Sequence, residues 1–230
     1  MRSTLEHSQR WVRGTRVLGV AASGVNLVLL GCLVHGAESP LAFPGGTRAA
    51  VEAAALLAIY GLAFAVLPGR LGEQRAMVLR TSGVAAALAG LLQVVHMALE
   101  NFGARTGENA VVTVGFMLAT FAVWAVAAYR ASRMEGGVAT GMAAACVAAM
   151  GTMMIAVTFG LALSLAHVPA ADYVASWEEF KASGWHSARA FAIANSPHAA
   201  FGHLAVGPVL GGIFGFFGGV VGSVAARRAG

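Results

Sequence analysis

Six separate stretches of this chain are apolar over about the twenty residues that a helix needs to cross the hydrocarbon core of a bilayer. They cover residues 17–35, 49–67, 81–99, 109–129, 138–166 and 199–226. Hydrocarbon offers the backbone no water, so each stretch has to satisfy its own peptide groups, and a helix does this within one segment. The fifth stretch is long enough to tilt or to extend beyond the bilayer. Helix breakers lie between the stretches: Pro40 and Pro44, Pro68-Gly69, Gly103 and Gly107, Gly136-Gly137, and Pro169. Ser196-Pro197 has the form of an N-cap with proline in the first turn and predicts the start of the sixth helix.

The expectation is an all-α, polytopic membrane bundle of six transmembrane helices forming a single domain over residues 1–230. Composition agrees. Only 11% of residues are charged, where a soluble domain carries about 25%. No polar segment is long enough to fold by itself. Cys32 and Cys146 both lie in apolar runs, which argues against a disulfide framework. The opening residues 1–16 are polar and basic, and the run after them is long enough to span, so a cleavable leader is not expected.

The net charge of +5 could signal nucleic acid, but the arginines flank apolar runs and read as topology signals. On one side lie Arg2, Arg10, Arg13, Arg16, Arg70, Arg75, Arg80, Arg130, Arg133, Arg227 and Arg228. On the other lie only Arg48, Arg105, Lys181 and Arg189. Basic residues stay cytoplasmic, so both termini are expected inside. The compact loops and Ala/Gly-rich composition point to a bacterial inner (plasma) membrane.

One connection, residues 168–197, is long and lies on the outer side in this topology. Tyr173, Trp177 and Phe180 are at helical spacing there, opposite Asp172, Glu178, Glu179 and Lys181. This predicts a short amphipathic helix anchored at the membrane surface, continued past Gly184 by Trp185, Phe191 and Ile193. The sixth run carries Gly207, Gly211, Gly215 and Gly219, with Gly218 and Gly222 beside them. Such a row lets another backbone approach closely, either inside the monomer or in a homo-oligomer or complex with another membrane protein. Met142, Cys146, Met150, Met153 and Met154 share roughly one face of the fifth run. They form either flexible core filler or a soft-sulfur site for copper(I).

The middle of the bilayer is almost free of ionisable groups, which disfavours proton pumps and ion-coupled transporters. The only lysine, Lys181, is in a loop, so no retinal Schiff base can form within the membrane. No phosphate-binding glycine loop, HExxH or GxSxG is present. The histidines are more informative. His7 is on the inner side; His35, His96, His167, His186, His198 and His203 all map outward, with Glu38, Glu52, Glu100, Glu108 and Asp172. His96 is about one turn inside the third helix, with Gln93 and Glu100 on its face. His203 and Glu52 enter the same layer from other helices, and His35 and His167 close the first and fifth. Imidazole and carboxylate together are ligands for a transition metal, with His96, Glu100, His203 and Glu52 as the candidate set. Alternatively His96 and His203, supported by His35 and His167, would hold haem b. This predicts an outward-facing metal or haem redox site; the alternative is a non-catalytic subunit or small-solute transporter whose polar layer is a vestibule.

Overall fold

A computed structural model of the chain describes residues 2–36, 39–42, 45–70, 76–102, 109–135, 137–166 and 178–229. Its helices are α1 (Arg2–Val34), α2 (Gly46–Arg70), α3 (Ala76–Phe102), α4 (Asn109–Glu135), α5 (Val138–Leu165), α6 (Glu178–Ser183) and α7 (Ala188–Ala229). A 3-10 turn, Pro40–Ala42, lies between α1 and α2. No strand occurs among the described residues. Among the described residues six helices, α1 to α5 and α7, are long and apolar enough to cross a membrane.

α5 is the hub, packing on α7, α3, α4 and α1. More than half of its residues are Gly, Ala, Ser, Thr or Cys, and Ala144, Ala145, Ala148, Ala149 and Ala156 have no exposed surface. Small side chains let neighbouring helices come close on every side, as packing in a bilayer requires. Cross-helix pairs fix the directions. Ser82 donates to the Ala144 carbonyl at 2.9 Å, and a side chain on Gly90 would meet Ile155, so α3 and α5 run parallel. Gly211 lies against Ala149 and Gly219 against Val138, so α5 and α7 are antiparallel. This alternation brings the start of α1 and the end of α7 to one end of the bundle. The other is called the distal end below.

The glycine row of α7 is used inside the monomer. A Cβ on Gly211 would stand 2.7 Å from that of Ala149, and one on Gly215 would stand 2.8 Å from that of Ala145. Gly218 and Gly222 face α4 instead, where a Cβ would strike the carbonyl oxygens of Ala125 and Tyr129. The sulfur-bearing face of α5 is split. Met153 and Met154 are core residues, while the Cys146 thiol approaches the Pro208 carbonyl at 3.6 Å.

The last helix departs from the sequence expectation. It starts at Ala188 rather than near residue 199, and Pro197 and Pro208 lie within it. Ser187, not Ser196, stands before its first turn and accepts the Ala190 N–H at 3.2 Å. Phe191 and Ile193, expected to continue an interfacial helix, are each only 2% exposed within α7. Gly184, with φ of 72°, separates α6 from this longer helix. A proline removes the N–H that would serve the carbonyl four residues earlier. Within a packed membrane bundle a neighbour can supply the missing donor. At Pro208 this is visible: Tyr60 of α2, 3% exposed, donates its hydroxyl to the Leu204 carbonyl at 2.6 Å. Of the predicted amphipathic segment, the described part is α6 and the turn to Trp185; Asp172, Tyr173 and Trp177 lie outside the described residues. α1 begins at Arg2, so the helix continues through the basic segment before the first apolar run.

Candidate functional site

α4 and α7 pack tightly only over their halves nearest the chain ends. There Phe121 stacks on Phe214 with ring centres 4.5 Å apart, and Gly218 and Gly222 abut α4. Toward the distal end the two helices part. A cleft of about 500 Å³ opens between α3, α4, α5 and α7. Trp124, Phe121, Met153 and Leu210 lie at its deep end, and Glu100, Thr113, Ser164 and Ser196 toward its distal end. The lined stretches 113–124 of α4 and 153–164 of α5 each advance about 17 Å along a helix. That is roughly half the ~30 Å of a bilayer core.

His96 and His203 both line this cleft, one from α3 and the other from α7. The two histidines that the sequence made central therefore share one cavity, although 107 positions separate them in the chain. His96 is held firmly. Its Nε2 lies 3.2 Å from Oε1 of Glu100 and 3.1 Å from Oγ1 of Thr113, and its ring stacks on Phe116 at 5.3 Å. An ionised Glu100 can only accept, which assigns the proton to Nε2, and in the neutral ring Nδ1 then keeps its lone pair. His203 is fixed in the opposite sense. Its Nδ1 lies 2.8 Å from the Ala199 carbonyl, which again can only accept, so the lone pair is on Nε2. Gln93 lines the cleft as the shared helix face implied and donates to Thr120 at 2.9 Å. The Ser164 and Ser196 hydroxyls bond each other at 2.6 Å. No lysine or arginine is among the described lining residues.

Of the remaining candidates, the two that lie among the described residues, Glu52 and His35, do not join this site. Glu52 is engaged by Arg48 at 2.7 Å on the surface of α2, and α2 contributes no lining residue. His35 is exposed in the turn that follows α1. His167, Glu38 and Glu108 lie outside the described residues. Among the described residues no three His, Cys, Asp or Glu side chains come close enough together to hold a metal ion. The sequence reading missed Thr113 and Phe116, which complete the setting of His96, and Trp124, whose indole N–H reaches Thr152 at 3.1 Å at the floor. Thr113 and Phe116 are three apart at the start of the fourth run, so their shared face was visible; the helix they would face was not.

The chain matches no protein-family model, and no curated protein or solved structure matches it. The cleft itself therefore carries the functional argument.

Proposed function

We propose that this chain is a membrane protein that binds a small amphiphilic molecule in the distal cleft, with the His96–Glu100–Thr113 group anchoring the polar end of the ligand. The observation that carries this reading is the convergence of His96 and His203 on one cavity of about 500 Å³. Small-molecule sites are typically about 300–1,000 Å³, mostly apolar, with a few placed polar groups. Trp124, Phe121, Met153, Val157 and Leu161 supply the apolar body. The arginine bias of the sequence supports a cytoplasmic position for the opposite end of the bundle, and with it a cleft in the outer leaflet.

A multi-ligand metal centre has less support than binding of an organic molecule, because among the described residues no three metal-ligating side chains, His203 of the same cleft included, stand close enough together to hold one ion. A haem needs only two axial ligands. The donation of Nδ1 of His203 to a carbonyl favours that second reading, since ligating histidines commonly place their other N–H in this way.

The test is analysis of purified full-length protein by mass spectrometry of extracted small molecules, metal analysis and optical spectroscopy. A specific molecule should be enriched over bulk lipid with wild type and lost with His96→Ala. A haem spectrum lost in both His96→Ala and His203→Ala would select the second reading. Extracts of wild type and His96→Ala with identical contents would overturn the binding function.

A further inference from the structure

We propose that the cleft takes its occupant sideways from the bilayer through the gap between α4 and α7. We further propose that this occupant is a long-chain amphiphile whose head is not anionic and donates a hydrogen bond, such as an alcohol or an amine. The inference rests on the cleft being a binding site.

The route follows from where the lining is exposed. Residues contributed by α3 and α5 are buried or half-buried. The exposed ones are on α4 and α7: Met117 at 44%, Val206 at 51%, and His203 with Ala199 above it. The mouth is therefore the gap between α4 and α7, and α5 is the back wall. Below this mouth the Phe121–Phe214 stack closes the two helices together. Met117 and Val206 belong to membrane-crossing helices, so in a bilayer this gap faces acyl chains rather than water.

The head chemistry follows from the polar groups. With both rings neutral, His96 and His203 each direct the ring proton to an oxygen acceptor, and the second nitrogen of each is then an acceptor. Glu100 is the one charged side chain among the described lining residues. The polar part of the cleft thus combines these imidazole acceptors and an acid with the amides of Asn101 and Asn195, and has no lysine or arginine among the described lining residues. A carboxylate or phosphate entering it would lose hydration beside a like charge without gaining an ion partner, which is unfavourable in a low-dielectric site. A hydroxyl or amine can donate to an imidazole lone pair while its chain lies along Met153, Leu161 and Trp124.

Trp124 provides the readout. A variant retaining Trp124 alone (Trp11→Phe, Trp177→Phe, Trp185→Phe) is reconstituted in phosphatidylcholine vesicles. Three nitroxide-labelled octadecyl chains are compared, ending in an alcohol, its methyl ether or a carboxylate. Quenching beyond that by nitroxide-labelled phosphatidylcholine reports occupancy. The alcohol should half-quench at a mole fraction at least about tenfold below that of the carboxylate, equivalent to about 1.4 kcal/mol, with the ether between them. Met117→Phe with Val206→Phe, which fills the mouth, should reduce quenching by the alcohol by at least about tenfold. Shifts in thermal stability of the unsubstituted protein with the same three probes give the ranking independently of the tryptophan changes. A carboxylate equal to or better than the alcohol overturns the head assignment. Alcohol selectivity that survives the filled mouth overturns the lateral route. If no probe exceeds phosphatidylcholine and none shifts stability, the binding function itself fails.

Discussion

Removing the Tyr60 hydroxyl should cost much more stability in the natural chain than in one that lacks Pro208. The Leu204 carbonyl is almost fully buried, with Leu204 only 1% exposed, and its usual donor would be the N–H of residue 208. That residue is proline, so the carbonyl depends on the Tyr60 hydroxyl 2.6 Å away. Inter-helix hydrogen bonds in membrane proteins average about 0.6 kcal/mol and reach about 1.7. The low average arises because the groups find other partners once separated. Here the helix's own i+4 donor to this carbonyl is missing, so Tyr60→Phe should fall near the upper value, about 1.5 kcal/mol. In a Pro208→Ala background the restored N–H takes over the carbonyl, and the same substitution should cost about 0.5 kcal/mol or less. The coupling energy of the double-mutant cycle is then about 1 kcal/mol. Reversible unfolding in mixed micelles, followed by tryptophan fluorescence for the four proteins of the cycle, measures it. Equal costs of Tyr60→Phe in both backgrounds would refute the claim that Tyr60 replaces the donor missing at Pro208.

The glycines of α7 should split by what they touch. Gly218→Ala, which would press on the Ala125 backbone carbonyl, and Gly211→Ala, 2.7 Å from Ala149, should each destabilise by about 1–3 kcal/mol. Gly115→Ala on α4 meets nothing within 4 Å and should be neutral or stabilising by up to about 1 kcal/mol; thermal unfolding in detergent that ranks Gly115→Ala with the other two would sink the packing account. Topology reporters fused after Arg228 should read cytoplasmic, and one inserted between Lys181 and Ser183 should read external; an external C-terminus would reverse the orientation and place the cleft in the inner leaflet.

Much of this molecule is decided by its sequence. The six apolar runs become six helices because isolated backbone in hydrocarbon has no alternative to internal hydrogen bonding, and that rule acts on each segment separately. The pairing of His96 with Glu100 was equally legible, since residues four apart on a helix are neighbours whatever surrounds them. The close-packing role of the glycine row was visible as a need for a near backbone, but which helix would supply it was not. The start of α7 was misread because Ser196-Pro197 has the local form of a helix start. Proline tolerance within a helix depends on donors from other helices, and Tyr60, 148 positions before Pro208, is such a donor. Tertiary structure alone decided which members of the histidine and carboxylate layer meet. Helix direction and length set the depth of His35, Glu52, His96 and His203, but rotation about each helix axis is set by packing against neighbours. Packing around α5 brought His96 and His203 into one cleft, while Glu52 stayed with Arg48 on α2 and His35 at the exposed end of α1.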